Sequence, residues 1–170
     1  METLETIFKR RSIRKFTGGK ISAGDLEKIL RAAMAAPSAG NGQPWHFIVI
    51  DDQTILDKIA EASPYAGMAK YAGQAVIVCG DTSHEKFGCY WVQDCSAAIQ
   101  NLLLAVTDLG LGAVWTGIYP REDRLVAYHQ LILGLPENII PLATIPIGVP
   151  AEDPAPQDRY RPDRIHRNQW

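Results

Sequence analysis

The sequence contains little cysteine and no long apolar run, and these two absences exclude several classes of protein. Its 3 cysteines, Cys79, Cys89 and Cys95, match no zinc-binding spacing, and an odd number argues against a disulfide framework. We expect buried side chains or a free thiol. The longest apolar run, residues 102–106, is far shorter than the roughly 20 residues that cross a bilayer. Because the first residues lack the basic-then-apolar order of a signal peptide, we expect a cytoplasmic protein.

The chain also lacks a strong charge of either sign. Its net charge is -2 over 170 residues, which gives no general attraction to nucleic acid or to a membrane surface. The apolar fraction of 46% is ordinary for a globular protein. No repeat or low-complexity tract divides the sequence, so we predict a single domain over residues 1–170.

Familiar catalytic motifs are missing as well. There is no Gly-x-Gly-x-x-Gly after a strand, no Walker-type loop and no Gly-x-Ser-x-Gly elbow. The histidines have no metal-ligand spacing, so no metal site is predicted; they are His46, His84, His129 and His166. Asp94 is interpreted as a carboxylate in the first turn of a helix. A cofactor that carries its own reactivity would explain the absence of a nucleophile or an acid–base set.

Hydrophobic periodicity predicts helices that alternate with short apolar strands. The predicted helices cover residues 3–11, 22–36, 54–61, 90–109 and 122–131, and the predicted strands cover residues 46–50, 75–79, 112–116 and 142–148. Ser22 is the expected cap of the second helix, whose predicted buried face consists of Leu26, Ile29, Leu30, Ala33 and Met34. The fourth helix is apolar on most sides and ends at Gly110, so we expect it to be central. Pro146 predicts an edge or a bulge in the last strand.

A cationic segment, residues 10–16, follows the first predicted helix. Arg10, Ser12 and Arg14 alternate, so in an extended backbone they point the same way. Guanidinium groups match phosphate oxygens in a two-point fashion. The segment therefore predicts a phosphate clamp, with a solvated charged surface as the alternative.

Residues 37–45 form a polar, glycine-containing segment between a helix and a strand. Gly40 and Gly42 permit positive φ and the close approach of a ligand to the backbone. Donors and acceptors suited to the edge of a flat heteroaromatic ring come from Ser38, Asn41 and Gln43. The segment predicts a ring-binding loop, with an ordinary helix-to-strand connection as the alternative.

Two later segments offer further contacts. In residues 112–120, backbone N–H groups beside Gly117 are suited to a planar ligand, unless Trp115 simply packs in the core. Near the end of the chain, residues 159–161 add positive charge, with a solvated basic tail as the alternative. The prolines after Val149 favour an extended path, and the terminal Trp leads us to predict that the tail, residues 150–170, packs on protein rather than fraying.

In this order and at these spacings, the segments resemble the FMN-dependent nitroreductase family, over most of the chain. The matching pieces are residues 10–16, 37–45, Asp94 with Ala97–Ala98, residues 112–117, 158–160 and 165–166. The resemblance implies an α+β fold, with a central mixed sheet surrounded by helices in an intertwined homodimer. It also implies two FMN molecules at the subunit interface, with NADH or NADPH as the co-substrate.

The resemblance assigns roles at the phosphate end of FMN. The implied phosphate ligands are Arg10, Ser12, Arg14 and Arg159, and Arg11 is a further contact to the phosphate or the ring. Gln157 departs from the family pattern, because many relatives carry Lys or Arg there. Arg161 is the candidate that would supply the missing charge.

The resemblance also assigns roles at the ring end. The implied contacts from the partner subunit are Ser38, Ala39 and Asn41, in a loop shaped by Pro37, and Gln43 is a further polar contact at the ring edge. The implied contacts beside the reactive N5 atom of the flavin are Trp115, Thr116 and Gly117.

The implied activity is hydride transfer from NAD(P)H to nitroaromatic, quinone or other small electron-poor acceptors by a ping-pong mechanism. The protein would contribute orientation and electrostatics, without a catalytic acid. Alternatives on the same scaffold are a dehalogenase and a flavin-fragmenting enzyme, although residues 65–75 leave little room for the substrate lid of a dehalogenase. A flavin-binding sensor or reservoir without turnover is the other alternative.

Overall fold

The computed structural model describes residues 2–170; Met1, the first residue of the predicted domain 1–170, lies outside the described residues. The helices are α1 (Thr3–Lys9), α2 (Ala23–Met34), α3 (Gln53–Ala62), α4 (Trp91–Asp108) and α5 (Asp123–Leu133). The strands are β1 (Trp45–Ile50), β2 (Gln74–Asp81), β3 (Gly112–Ala113), β4 (Thr116–Gly117) and β5 (Ile139–Gly148). Every predicted helix is present, and so is every predicted strand except 112–116, which is divided; the ends of the others shift by a few residues.

One sheet organises the molecule, in the order β1-β2-β5-β3, with β4 also paired to β5. The α+β class is therefore confirmed. Every strand pair among residues 2–170 is antiparallel, so the predicted mixed sheet is wrong for the described chain. A helix between two strands does not by itself make them parallel, because the direction depends on the end of the sheet to which the connection returns the chain.

The last strand occupies the middle of the sheet, so the prediction that Pro146 marks an edge is wrong. Pro146 lies opposite the gap between β3 and β4, and its carbonyl accepts from the Val114 amide at 3.4 Å. In an antiparallel sheet, the N–H and C=O of one residue point to the same neighbouring strand. Proline has no N–H, so the side of Pro146 that lacks a donor faces this gap. A register shift in β5 does occur, but opposite Val78 and Cys79.

Two other strand predictions also need correction. The first strand was predicted to be buried, but β1 lies at the edge of the sheet and is half-exposed, whereas β2 is buried throughout. The predicted strand 112–116 is interrupted at Val114 and Trp115, which separate β3 from β4. An apolar run of this length does not distinguish an edge strand from a central one.

Helix α4 is the centre of the larger core, as predicted. It packs on α2 and on one face of the sheet, and it ends before Gly110, which has a φ of 71°. The Ser22 side chain caps α2 by accepting from the Asp25 amide at 3.0 Å. Met34 was predicted on the buried face of α2, but it is 51% exposed because it lies at the last residue of the helix.

A second core lies on the opposite face of the sheet, beneath α3 and α5. Cys79 and Cys95 are buried as expected, and burial raises the pKa of both thiols to about 12, so neither is a nucleophile at neutral pH. Cys89 is exposed. Among the residues described, no helix combines the length and apolar character that a membrane crossing requires.

Candidate functional site

A cationic pocket lies between the end of α1 and the C-terminal tail. Its volume is about 490 Å³, and its lining includes Arg10, Arg11, Gln157, Asp158, Arg159 and Tyr160. Burial, and then the charges of Arg159 and Arg11, lower the pKa of Arg10. No ion pair within residues 2–170 joins Arg10 or Arg159 to a carboxylate. The lining thus holds three guanidinium groups and one carboxylate, and this net positive charge favours an anionic ligand.

Arg11 fastens the tail to the pocket wall. Its Nε donates to the Ala155 carbonyl at 3.1 Å, and its Nη1 donates to the carbonyls of Phe8 and Arg10, each at 2.7 Å. These bonds use two of its three guanidinium nitrogens. Arg11 therefore builds the pocket while keeping its charge close to Arg10.

Gln157 orients Arg159. Its Oε1 accepts from Arg159 Nη2 at 2.8 Å and from Nε at 3.3 Å. The neutral amide of Gln157 holds one edge of the guanidinium without cancelling its charge. A carboxylate at this position would cancel that charge. Arg161 is exposed and immediately precedes a 3₁₀ turn, Pro162–Arg164.

The backbone after Arg11 is extended and pinned beside β3. The Ile13 amide donates to the Ala113 carbonyl at 2.9 Å, and Glu152 accepts from the amides of Arg14 and Lys15. Those bonds, that from Arg14 first, lower the pKa of Glu152. Ser12 is half-buried and Arg14 is exposed. Arg10, Arg11 and Arg159 line the cationic pocket, whereas Ser12 and Arg14 are not part of its lining.

The second candidate site is the polar loop, defined here as residues 38–43. Positive φ angles occur at Gly40 (54°), Asn41 (54°) and Gln43 (49°), and the last two are uncommon for residues with a side chain. The Ser38 hydroxyl accepts from the Gln43 amide at 3.0 Å, and Asn41 Oδ1 accepts from Gln43 Nε2 at 3.2 Å. The loop is thus held in a costly conformation by its own side chains, as is common in ligand-binding loops.

Two outside groups hold the polar loop in place. Asp94, buried in the first turn of α4, accepts from the Ala39 amide at 3.0 Å. Lys86 Nζ donates to the Gly40 carbonyl at 2.6 Å, and the Phe87 ring lies against Gly40. The exposed Pro37 precedes the loop. Sequence analysis placed Asp94 in the correct turn but missed its partner, because a bond across 55 residues leaves no local pattern.

The third candidate segment is a strip around β4. Trp115 is 37% exposed, so it does not pack in the core. Thr116 is buried and donates to the Thr144 carbonyl at 2.8 Å, which fixes the strip to β5. Gly117 is exposed, with no atom within 4 Å of the place that a Cβ would occupy. Its backbone is therefore open to a flat ligand.

The cationic pocket and the polar loop lie near opposite ends of α4. The polar loop binds Asp94 near the start of the helix, whereas α1, which leads into the pocket, contacts Asp108 at its end through Thr6. At about 1.5 Å per residue, these two helix positions are roughly 21 Å apart. Within one chain, the two groups are therefore attached to opposite ends of this helix.

Comparison with known proteins gives a consistent result. A family model described as the nitroreductase family matches residues 7–77 and 67–149. A protein of Methanothermobacter thermautotrophicus, named as an NADH dehydrogenase/NAD(P)H nitroreductase, is 51% identical over 100% of this chain and 88% of its own length.

Solved structures show the same likeness. The crystal structure of a protein from Parabacteroides distasonis, also named as an NADH dehydrogenase/NAD(P)H nitroreductase, superposes with a TM-score of 0.95 at 44% identity, covering 100% of this chain and 99% of that one. A nitroreductase from Desulfovibrio desulfuricans, solved in complex with FMN, has a TM-score of 0.86 at 30% identity, covering 100% and 98% of the two chains.

Proposed function

The chain belongs to the FMN-dependent nitroreductase family, and from this premise we propose that two copies share each FMN and reduce small electron-poor molecules with NAD(P)H. The chain is an oxidoreductase of the NAD(P)H nitroreductase type. The proposal adds the residues, the shared site, the ping-pong order and the acceptors, which include nitroaromatics and quinones.

The cationic pocket is the observation that carries the proposal. Arg10, Arg11 and Arg159 place three positive charges there against a single lining carboxylate, that of Asp158, with which none of them forms an ion pair among the described residues. A phosphate dianion would remove this repulsion and accept charge-assisted hydrogen bonds from the free guanidinium edges. Ser12 and Arg14 follow in the extended segment as further phosphate ligands. Arg161 remains the candidate that would replace the charge absent at Gln157.

The polar loop and the β4 strip suit the ring of FMN. Three polar side chains, Ser38, Asn41 and Gln43, surround a backbone already fixed in an unusual conformation, so little order would be lost on binding. The Ala39 backbone lies among them. Trp115 and Thr116 directly precede Gly117, whose open backbone permits close approach to a ring face.

When bound, FMN would supply the redox chemistry, the transfer of hydride from NAD(P)H to the acceptor. The residues of this chain anchor the phosphate, fix the ring plane and leave one face open to both substrates in turn. Both substrates would meet the same surface, so the order is ping-pong. Orientation and electrostatics are the contributions of the protein.

The two α4 positions to which the groups attach, Asp94 and Asp108, are roughly 21 Å apart, which supports sharing between subunits. The five-carbon ribityl chain that joins the ring and phosphate of FMN is much shorter than this distance. An apolar surface for a partner is present on α1, where Leu4 and Phe8 are largely exposed. Trp170 is fully exposed in the single chain, which agrees with a tail that packs on the partner.

The test is an absorption spectrum of the purified protein, followed by anaerobic addition of NADH or NADPH. The proposal expects flavin bands that bleach with the nicotinamide and return with a nitroaromatic or a quinone. Bound flavin that neither nicotinamide bleaches would instead favour a flavin sensor or reservoir. Failure to bind flavin after reconstitution would overturn the proposal.

A further inference from the structure

Three potential metal ligands converge at one end of the sheet, apart from the groups assigned to flavin. His46 lies in the edge strand β1, Asp81 ends β2, and His84 lies in the turn that follows. Their ligand atoms, Nε2, a carboxylate oxygen and Nδ1, all lie within 4.8 Å of one another. Sequence analysis predicted no metal site, because His46 comes from a different strand and only pairing of the strands brings it close.

The Asp81 carboxylate is held in a fixed orientation. It is buried, and its Oδ1 accepts from the Ser83 hydroxyl at 2.6 Å, from the Ser83 amide at 2.8 Å and from Asn138 Nδ2 at 2.9 Å. Oδ1 is thus occupied by these donors, and Oδ2 is left to face the two histidines. Metal sites commonly fix a ligating carboxylate in this way.

The two distances from Asp81 to the histidines suit a small transition-metal ion. Asp81 Oδ2 is 3.5 Å from His46 Nε2 and 2.8 Å from His84 Nδ1. Tetrahedral ligands with bonds of about 2.0–2.1 Å are separated by roughly 3.4 Å. The longer distance already fits, and the shorter one is a hydrogen bond whose proton a metal ion would displace.

The site is accessible from solvent. The side chains of His46 and His84 are 52% and 67% exposed, whereas that of Asp81 is only 6% exposed. Two imidazoles and one carboxylate form a ligand set typical of zinc with one position left for water. We propose that His46, Asp81 and His84 bind a divalent transition-metal ion of the zinc class.

Such an ion would stabilise the segment beside the polar loop. His84 lies in the connection between β2 and α4, residues 82–90, from which Lys86 and Phe87 contact Gly40. A metal bond to His84 would join this connection to both β1 and β2. The proposal does not depend on flavin, because none of its ligands was assigned to the flavin site.

The experiment is a calorimetric titration of tag-free protein with Zn²⁺, after treatment with a chelator. One ion per chain is expected. His46→Gln and His84→Gln should each weaken binding by at least about tenfold, since even a lost outer partner of a ligand costs that much. His166→Gln removes an imidazole from the exposed tail, and Cys89→Ser removes the exposed thiol; both should bind as the parent does.

A second measurement does not depend on variants. Co²⁺ added to the parent protein should give the intense visible absorption of a tetrahedral ion, and one equivalent of Zn²⁺ should remove it. The proposal is overturned if Zn²⁺ does not bind. It is equally overturned if both histidine variants bind as tightly as the parent, or if Cys89→Ser or His166→Gln abolishes binding.

Discussion

Replacing Arg159 by alanine is expected to weaken FMN binding without destabilising the flavin-free protein. Its guanidinium is held along one edge by Gln157 and repels Arg10. Removing it deletes a phosphate ligand but also relieves a like-charge contact. The substitution should therefore lower FMN affinity without lowering the stability of the flavin-free protein. Substitution of a residue that only supports the fold would lower both.

The size of the affinity loss follows from the type of bond. A hydrogen bond to a charged group contributes about 1.5–3 kcal/mol, which corresponds to roughly a 10- to 150-fold change in Kd. Because Arg159 is exposed, water competes with the phosphate, and we expect a loss of about tenfold, near the lower limit. Added salt should weaken binding to the parent more steeply than binding to the variant.

The assay is quenching of FMN fluorescence during titration with flavin-free protein, alongside thermal unfolding without flavin. Arg124→Ala is the matched control, since it removes the same exposed charge from α5 and should leave the Kd unchanged. An Arg159→Ala protein that binds FMN as tightly as the parent would refute the assignment of the pocket. Equal losses of Tm and affinity would show that Arg159 acts through folding.

Three further perturbations test the fold and the loop. Gly148→Ala should lower Tm by roughly 5–10 °C, because the added Cβ would overlap the Ala72 carbonyl oxygen. Gly67→Ala is the control and should leave Tm unchanged in thermal unfolding, because no atom lies within 4 Å of its added Cβ. His129 is buried, which lowers its pKa, so its contribution to stability is complete above about pH 6.5 and is lost as the pH falls; His129→Gln should flatten the pH dependence of urea unfolding in that range. Asp94→Ala should raise the FMN Kd about fivefold, with rescue by Asp94→Asn, whose amide oxygen still accepts from the loop.

Local patterns were enough to predict the elements of the fold. The Ser22 cap, the Gly110 terminus and the buried character of α4 each depend on a few neighbouring residues, and all are present in the structure. The position of a strand within the sheet depends instead on distant partners. Pro146 therefore gave a wrong prediction, because the gap that accommodates it lies in a segment about 30 residues earlier.

The candidate site shows the same division. Sequence alone singled out Arg10, Arg159 and the polar loop, because these residue types suit a phosphate and a ring edge. It did not find the bond from Asp94 to the polar loop, or Gln157 as the partner of Arg159. The first joins a side chain to a backbone amide 55 residues away, and the second joins two side chains; neither partner is evident from the residue types alone.

The length of α4 has a consequence for how two substitutions would combine in a dimer of different chains. If the pocket of one chain meets the polar loop of another, a dimer of an Arg159→Ala chain with an Asp94→Ala chain would carry both defects in one site and neither in the other. Subunit exchange between the two impaired proteins would then restore parent-like FMN affinity at one of the two sites, an affinity that neither protein shows alone. Recovery of FMN binding in the mixed dimer would therefore be a consequence of the length of α4, which holds the polar loop and the pocket of one chain apart.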